Sequence, residues 1–205
     1  VFALITPPWG SKRSVRNIAL ACSLITLIAG GWAVVRYYQN VRLAGGDTMR
    51  DLGVDATNAV TGPVSVRGAE PGDALRIDVL DIQIERAWSV WLPGFGRLGA
   101  RTDRMRIRQT PIEGNRVRIT DGVTVPYATM IGCNGTAPAD GVGSTMRPVF
   151  RSGGNMDLRE LSIGATISLP VEVAGGLLSV GDLHAAMGRG EPTAIAFEAC
   201  GSATL

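Results

Sequence analysis

Most of the chain after residue 40 consists of short apolar runs, which Gly and Pro separate at intervals of roughly ten residues. Two of these runs, residues 75–79 and 116–120, alternate apolar with charged or hydroxyl side chains, which is the period of a half-buried strand. Further runs rich in Val, Ile or Ala lie at residues 64–66, 165–169 and 194–197. Short strands with turn residues between them predict a mainly β fold, either a sandwich or a barrel-like domain.

The turn residues themselves carry information. In Glu70-Pro71-Gly72-Asp73, the proline fixes φ and the glycine permits a positive φ, so this segment is predicted to turn before a strand at Leu75. Helical patterns are scarce in the same region. The sequence predicts only single helical turns, at residues 159–163 and 184–187.

The amino-terminal segment follows a different pattern. Residues 18–35 contain no charged side chain, and basic residues flank them on both sides. About 18 apolar residues is the lower limit for a helix that crosses a bilayer, so the pattern predicts an apolar N-terminal helix. Three interpretations remain open: a membrane anchor with membrane contact through residues 18–35, a cleaved signal, or a buried helix. The first two imply an anchored or exported protein.

These patterns divide the chain into an apolar segment, residues 1–40, and one β-rich domain, residues 41–205. The net charge is +2, from 20 Lys and Arg against 18 Asp and Glu. Such a balance argues against a dedicated nucleic-acid binder, which normally carries a basic stripe. The three cysteines form neither a disulfide framework nor a zinc motif, and we expect free thiols.

Polar chemistry is predicted at residues 179–191, because this stretch holds the only histidine of the chain. His184 follows the acid Asp182 by two residues and precedes Glu191 by seven, with glycines between them. Histidine is the side chain that changes protonation near neutral pH and often binds metals. An acid–base or metal site is therefore expected here.

The motifs of the chain also occur in a specific order. They are Thr61-Gly-Pro-Val64, Gly68-Ala-Glu-Pro-Gly-Asp73, Pro93-Gly-Phe-Gly96, Met130-Ile-Gly-Cys133 with Ala137-Pro138, Ser144-Thr145, Gly153-Gly-Asn-Met-Asp157, Leu169-Pro-Val171 and Ser179-Val-Gly-Asp-Leu-His-Ala185. In this order they resemble the acetamidase/formamidase family over residues 61–205. The resemblance implies a mainly β, sandwich-like fold, a cytoplasmic homo-oligomer, and hydrolysis of linear amides such as formamide or acetamide to a carboxylic acid and ammonia.

The chain also departs from the family pattern. Met187 stands where the family has Gln, and Arg189 stands where it has Asp, which inverts the charge near the histidine. The segments that family members carry at both ends are not recognisable, so we interpret the chain as a truncated or divergent member. Arg189 is the residue expected to alter or silence the site. The alternative to an amide hydrolase is thus a non-catalytic, decayed β domain of the same family, with or without a membrane tether.

A divalent metal is one hypothesis for the chemistry. Asp182, His184 and Glu191 could bind it, with Asp157 and Asn155 completing the ligand shell, and the donors suit zinc, manganese or calcium about equally. A bound metal would polarise the amide and lower the pKa of a water molecule. The alternative is a polar turn network in which these acids accept backbone hydrogen bonds.

A metal-free site is the second hypothesis. Glu70 or Glu191 would then act as the base and His184 as the acid. Backbone N–H groups at Gly153-Gly154 and Gly188 would stabilise the oxyanion.

Residues at the predicted substrate site are Asn155, Gly154 and Cys133. Cys133 is also a candidate nucleophile, since one cysteine and one histidine are the minimal requirement. The competing interpretation is that Cys133 packs as a small apolar residue in a strand that starts at Met130.

Overall fold

The computed structural model describes residues 58, 60–140, 143, 145, 151–189, 191 and 193–205, together with the backbone of three short strands nearer the amino terminus. Nearly all regular structure in these residues is strand, which confirms the mainly β prediction. The strands are β1 (Ala3–Leu4), β2 (Arg16–Asn17), β3 (Ala19–Cys22), β4 (Val60–Val64), β5 (Ala74–Asp78), β6 (Asp81–Trp91), β7 (Arg106–Thr110), β8 (Ile112–Glu113), β9 (Arg116–Thr120), β10 (Val123–Pro126), β11 (Met130–Gly135), β12 (Gly153–Asn155), β13 (Thr166–Pro170), β14 (Leu178–Ala186) and β15 (Phe197–Thr204). The helical content of the described residues is one short 3-10 turn, Gly99–Arg101.

The largest sheet contains nine of the described strands and is antiparallel. Its main path runs β1-β3-β15-β14-β11-β12, with β4 beside β14, β6 beside β15 and β7 beside β6. Two smaller sheets have the orders β10-β9-β8 and β13-β5-β2. Strands β14 and β15 are therefore central, and each pairs with several neighbours.

The main hydrophobic core joins the large sheet to the β5–β13 sheet. Leu75 and Ile77 on β5 pack in one buried cluster with Ile131, Leu178 and Leu183 of the large sheet. On β5 these apolar residues are each 1% exposed, and the charged residue between them is exposed, as the alternation over residues 75–79 predicts. Two sheets that share a core in this way form layers, which favours the sandwich over the barrel alternative.

A second, smaller core lies under the β8–β10 sheet. Val117 on β9 is fully buried with Ala87 of β6 and Ala185 of β14. The alternation predicted over residues 116–120 thus places one apolar residue inward. Because β14 contributes to both cores, packing fixes this strand along its length.

The local turn prediction is confirmed. The N–H of Asp73 donates to the carbonyl oxygen of Glu70 at 3.0 Å, and β5 begins at Ala74. The predictions of helical turns at residues 159–163 and 184–187 are wrong. Residues 184–186 are the end of β14, since they pair with β11 and β15, and residues 159–163 form hydrogen-bonded turns around Leu161.

Strand β15 also differs from the prediction over residues 194–197. It begins only at Phe197 and continues to Thr204, because its backbone pairs with both β14 and β6.

The prediction of an amino-terminal helix over residues 18–35 is wrong for the four of these residues that the structure describes. Ala19–Cys22 is strand β3, since Cys22 pairs with Ala203 on β15. Residues 18 and 23–35 lie outside the described residues. In the described part of the chain, we find no helix with the length and apolar character needed to cross a membrane.

Candidate functional site: a buried histidine among four carboxylates

A break in the alternation of β14 positions the histidine. Val180 and Leu183 both pack in the main core, although residues three apart on a regular strand point to opposite faces. Asp182 lies between them with a φ of 63°, a left-handed conformation that interrupts the regular pleat. With Leu183 in the core, its neighbours Asp182 and His184 share the opposite face. His184 is 1% exposed, and its Nε2 lies 3.3 Å from Oδ1 of Asp182.

The register between β14 and β15 brings a second carboxylate to the ring. His184 is the direct cross-strand partner of Glu198, and such partners project from the same face of a sheet. The Glu198 Oε2 atom lies 3.4 Å from Nε2 of His184. Sequence reasoning did not assign Glu198 to the site. The available signal was an acid beside Phe197 at the start of a run of small and apolar residues.

Two further carboxylates reach the histidine from loops. Asp157 Oδ1 lies 3.9 Å from Nε2, and Glu191 Oε1 lies 4.0 Å from Nδ1. Both residues have positive φ, 42° for Asp157 and 30° for Glu191. Non-glycine residues seldom adopt this region, and they concentrate at functional sites where the surrounding fold holds them.

A glycine on the neighbouring strand gives the carboxylates room. A Cβ atom at Gly132 would lie 2.6 Å from Oδ2 of Asp182 and 2.8 Å from Oδ1 of Asp157. The carbonyl oxygen of Gly132 also accepts hydrogen bonds from the N–H groups of Met156 and Asp157. Gly132 therefore fixes the Asp157 loop while leaving the space that two acidic side chains need.

An asparagine distant in sequence holds Asp182 in place. The side-chain amide of Asn58 donates to Oδ2 of Asp182 at 3.1 Å and to the carbonyl oxygen of Thr145 at 3.0 Å. The Thr145 hydroxyl donates in return to the carbonyl oxygen of Asn58 at 2.7 Å. Nothing in the sequence pattern indicated Asn58, because these contacts join segments more than 80 residues apart.

The electrostatics of the pair His184–Asp182 are those of an ion pair. Burial alone would lower the pKa of His184, but the hydrogen bonds and negative charges of Asp182 and Glu198 outweigh burial and raise it well above its usual value. Burial would raise the pKa of Asp182, yet the hydrogen bonds from His184 and Asn58 and the charge of His184 hold it below its usual value.

In contrast to Asp182, the other two carboxylates, Asp157 and Glu191, have raised pKa values. Burial, reinforced by the negative charge of Asp182, raises the pKa of Asp157 to about 6. Burial, reinforced by the negative charge of Asp157, raises the pKa of Glu191 to about 7. Oδ1 of Asp157, Oε1 of Glu191 and Nδ1 of His184 are all buried, and none has a hydrogen-bond partner among the described residues.

Within the described residues, two sets of three side chains have ligand atoms close enough to hold one metal ion. The first set is Asp157, His184 and Glu191, and the second is Asp182, His184 and Glu198. In each set the ligand atoms lie within 4.8 Å of one another. The predicted metal set of Asp157, Asp182 and His184 is divided between these two groups.

The remaining candidates lie in different places. Asn155 and Gly154 are on β12, which pairs with β11 beside Cys133, and Oδ1 of Asn155 is buried without a hydrogen-bond partner among the described residues. Glu70 is exposed in the turn before β5, and it is absent from the ion pairs described at His184. The structure does not bring Glu70 to the cluster.

Cys133 is a poor candidate for a nucleophile. It is free and 2% exposed, and burial together with the charges of Asp182 and Asp157 raises the pKa of its thiol to about 12. The nucleophilic form of cysteine is the thiolate. A thiol with this pKa stays protonated at neutral pH, which favours the packing interpretation.

Arg189 points away from the histidine. Its side chain is 75% exposed and forms an ion pair with Glu160 on the surface. The positive charge that stands in place of the family's acid therefore lies at the surface, whereas the four carboxylates enclose His184.

Comparisons with known proteins relate the chain to one family. The acetamidase/formamidase family matches the chain over residues 42–145 and 136–205. The crystal structure of an acetamidase from Bacillus halodurans superimposes with a TM-score of 0.71 at 39% identity, covering 76% of this chain and 53% of that one. A γ-lactamase from Delftia acidovorans superimposes with a TM-score of 0.63 at 26% identity, covering 78% of this chain and 54% of that one.

A formamidase from Methylophilus methylotrophus is 27% identical over 71% of this chain and 49% of its own length. The chain spans about half the length of the relatives it matches.

Proposed function

Because this chain belongs to the acetamidase/formamidase family, we propose that it hydrolyses the C–N bond of short amides to a carboxylic acid and ammonia. The observation that carries the proposal is the cluster around His184. Four carboxylates from separate segments approach one buried imidazole within 4.0 Å, and such a concentration of buried charge is unfavourable without a ligand or a reaction that uses it.

The unpartnered atoms of the cluster fit a divalent cation. Oδ1 of Asp157, Nδ1 of His184 and Oε1 of Glu191 are one nitrogen and two oxygens, all buried and all without a hydrogen-bond partner among the described residues. The three side chains can bring ligand atoms within 4.8 Å of one another. We propose that these three side chains hold the metal. A divalent cation bound there would polarise the amide carbonyl and lower the pKa of a bound water.

The other half of the cluster orients the imidazole. Asp182, ionised by its pairing, can only accept a hydrogen bond, so Nε2 of His184 carries a proton toward it. With a metal bound, Nδ1 would give up the second proton that the raised pKa of His184 keeps on the ring, and the lone pair freed there would face Glu191. A carboxylate that fixes the tautomer of a ligating histidine is a recurrent feature of metal sites.

Glu198 is our candidate for proton transfer. Its side chain is 33% exposed, the most open of the four carboxylates, and its Oε2 lies beside Nε2 of His184. The attacking water forms a C–O bond with the amide carbon and gives a proton to Glu198. Glu198 then returns that proton to the amide nitrogen as the C–N bond breaks and ammonia leaves. The unpartnered Oδ1 of Asn155 is the candidate acceptor for an N–H of the substrate.

Ammonia release tests the proposal directly. The purified chain would be incubated with formamide, acetamide and a γ-lactam, and the same preparation would be assayed for metal content. We expect ammonia from a linear amide, a stoichiometric divalent metal, loss of activity in chelator and recovery when zinc, manganese or calcium is restored singly.

The control variant is Glu160→Gln, which removes an acid on the surface outside the cluster. It should keep both the activity and the metal content of the unaltered chain. Activity that survives complete metal removal would favour the metal-free hypothesis with Glu191 as base. No ammonia from any amide by the metal-loaded chain would favour the non-catalytic alternative.

A further inference from the structure

A cavity of about 530 Å³ adjoins the histidine cluster. It lies between the end of β6, strands β9 and β10, and the segment around residues 186–197. Glu191 lines this cavity and also lies 4.0 Å from His184. The cavity therefore opens directly beside the proposed reaction centre. Its volume is within the range of about 300–1,000 Å³ that is usual for sites of organic ligands.

The cavity walls are mainly apolar. Side chains from four strands and one loop contribute: Val90, Trp91, Ile119, Val125, Met187 and Phe197. Formamide has no carbon substituent on its carbonyl group, and acetamide has a single methyl group. Neither molecule would use these walls, so the cavity is larger and more apolar than such substrates require.

Ser89 in the cavity wall has a hydroxyl group without a hydrogen-bond partner among the described residues. Ser89 is 7% exposed, and its Oγ atom is buried without a hydrogen-bond partner among the described residues. Buried hydroxyl groups in folded proteins are nearly always hydrogen-bonded, and a ligand or a water supplies the partner where the protein does not. Ser89 belongs to the cavity wall, and its Oγ atom lies behind the wall surface, shielded from solvent.

We infer that this cavity binds the acyl group of the substrate, and that the preferred substrates are amides whose acyl group is an apolar chain or ring larger than acetyl. The inference rests on the proposed amide hydrolysis. One extra methylene in an apolar pocket changes kcat/KM by about 10-fold or more. A chain of several carbons that reaches the walls around Trp91 should therefore raise kcat/KM well above the value for acetamide.

A series of amides tests the inference. We would measure kcat/KM for acetamide, butanamide, hexanamide and phenylacetamide with the unaltered chain, with Trp91→Ala and with Ile119→Ala as a second wall variant. The control is Leu80→Ala, which removes an exposed apolar side chain outside the cavity lining. We expect kcat/KM to rise at least about 10-fold from acetamide to hexanamide, and the rise to shrink in either wall variant but not in the control. Equal values across the series in the unaltered chain would overturn the inference.

A binding measurement separates failure of the inference from failure of the proposed function. Phenylacetate, which cannot be hydrolysed, would be titrated calorimetrically into the unaltered chain and into Trp91→Ala. If no amide is hydrolysed but phenylacetate binds, and binds at least about 10-fold more weakly to Trp91→Ala, the acyl-binding cavity stands and the hydrolysis does not. If acetamide is hydrolysed but phenylacetate does not bind, the cavity inference falls and the hydrolysis stands. If no amide is hydrolysed and phenylacetate does not bind, both the cavity inference and the proposed hydrolysis are wrong.

Discussion

The two halves of the histidine cluster differ in whether all their buried carboxylate oxygens have hydrogen-bond partners among the described residues. In the paired half, Asp182 and Glu198 approach Nε2 of His184 at 3.3 and 3.4 Å, and Asn58 supplies a further donor to Asp182. The open half is Asp157 and Glu191. Each has a buried oxygen with no hydrogen-bond partner among the described residues.

The pKa values follow the same division. Partners in the paired half outweigh burial and hold the pKa of Asp182 below its usual value. In the open half burial dominates, with neighbouring negative charge, and raises the pKa of Asp157 to about 6 and that of Glu191 to about 7. The open half is therefore unfavourable for the fold by itself, and the paired half contributes to stability.

This difference separates two roles within one cluster. A fold keeps buried carboxylate oxygens without partners where a ligand supplies the missing interactions, and strain of this kind concentrates at functional sites. We therefore expect substitutions in the open half to reduce activity without loss of stability, and substitutions in the paired half to reduce both. Substitutions in each half test this separation.

Glu191→Gln should give the largest loss. It removes one charge of the open half and nearly preserves the shape of the side chain, so we expect amide hydrolysis to fall by at least about 100-fold and metal content to fall with it. The unfolding temperature in chelator should stay equal or rise, because a buried negative charge disappears from among three others. Activity within a few-fold of the unaltered chain, or a clearly lower unfolding temperature, would remove the distinction between the halves.

Asp182→Asn should chiefly reduce stability. It leaves the 1% exposed imidazole of His184 without its nearest anionic partner, and breaking a buried ion pair in this way costs about 3 kcal/mol. Urea unfolding measures the change. Glu198→Gln is the comparison variant and should cost less, because its side chain is 33% exposed and water screens its charge. Equal losses for the two variants would contradict the burial argument.

Gly132→Ala should affect both halves at once. The new Cβ would lie 2.6 Å from Oδ2 of Asp182 and 2.8 Å from Oδ1 of Asp157, so both carboxylates must move. We expect a stability loss of about 2 kcal/mol, typical of overpacking, together with reduced hydrolysis. Gly143→Ala is the matched control, since its Cβ would make only an ordinary contact of 3.6 Å with Pro138. Equal unfolding free energies for the two variants would show that the site tolerates the displacement.

The sequence was sufficient for features that depend on local chemistry. The alternation over residues 75–79 predicted which side chains of β5 are buried, and the residues of the 70–73 turn predicted where β5 begins. The only histidine marked the neighbourhood of the cluster, and Asp157, Asp182 and Glu191 were named with it. Each of these features is visible in a window of a few residues or in a motif of the family.

The features that the sequence did not predict depend on pairing between distant segments. Glu198 reaches His184 because β14 and β15 pair in a particular register, and Asn58 reaches Asp182 across 124 residues. The prediction of a helical turn at residues 184–187 was wrong for the same reason. Small residues such as those after His184 favour a helix locally, but tertiary pairing overrides so short a propensity.

Arg189 gives the smallest expected effect and tests whether the surface outside the cluster matters. Its guanidinium is 75% exposed and pairs with Glu160, which is 47% exposed, and exposed pairs of this kind contribute about 0.5 kcal/mol or less. We expect Arg189→Ala to change kcat less than about twofold and to leave the unfolding temperature nearly unchanged. Arg189→Asp, which restores the acid of the family pattern, should likewise not increase activity, because the side chain at this position faces solvent. An activity that appears only in Arg189→Asp would mean that the acid acts on His184 in solution, and the division into a paired and an open half would then have to include this fifth carboxylate.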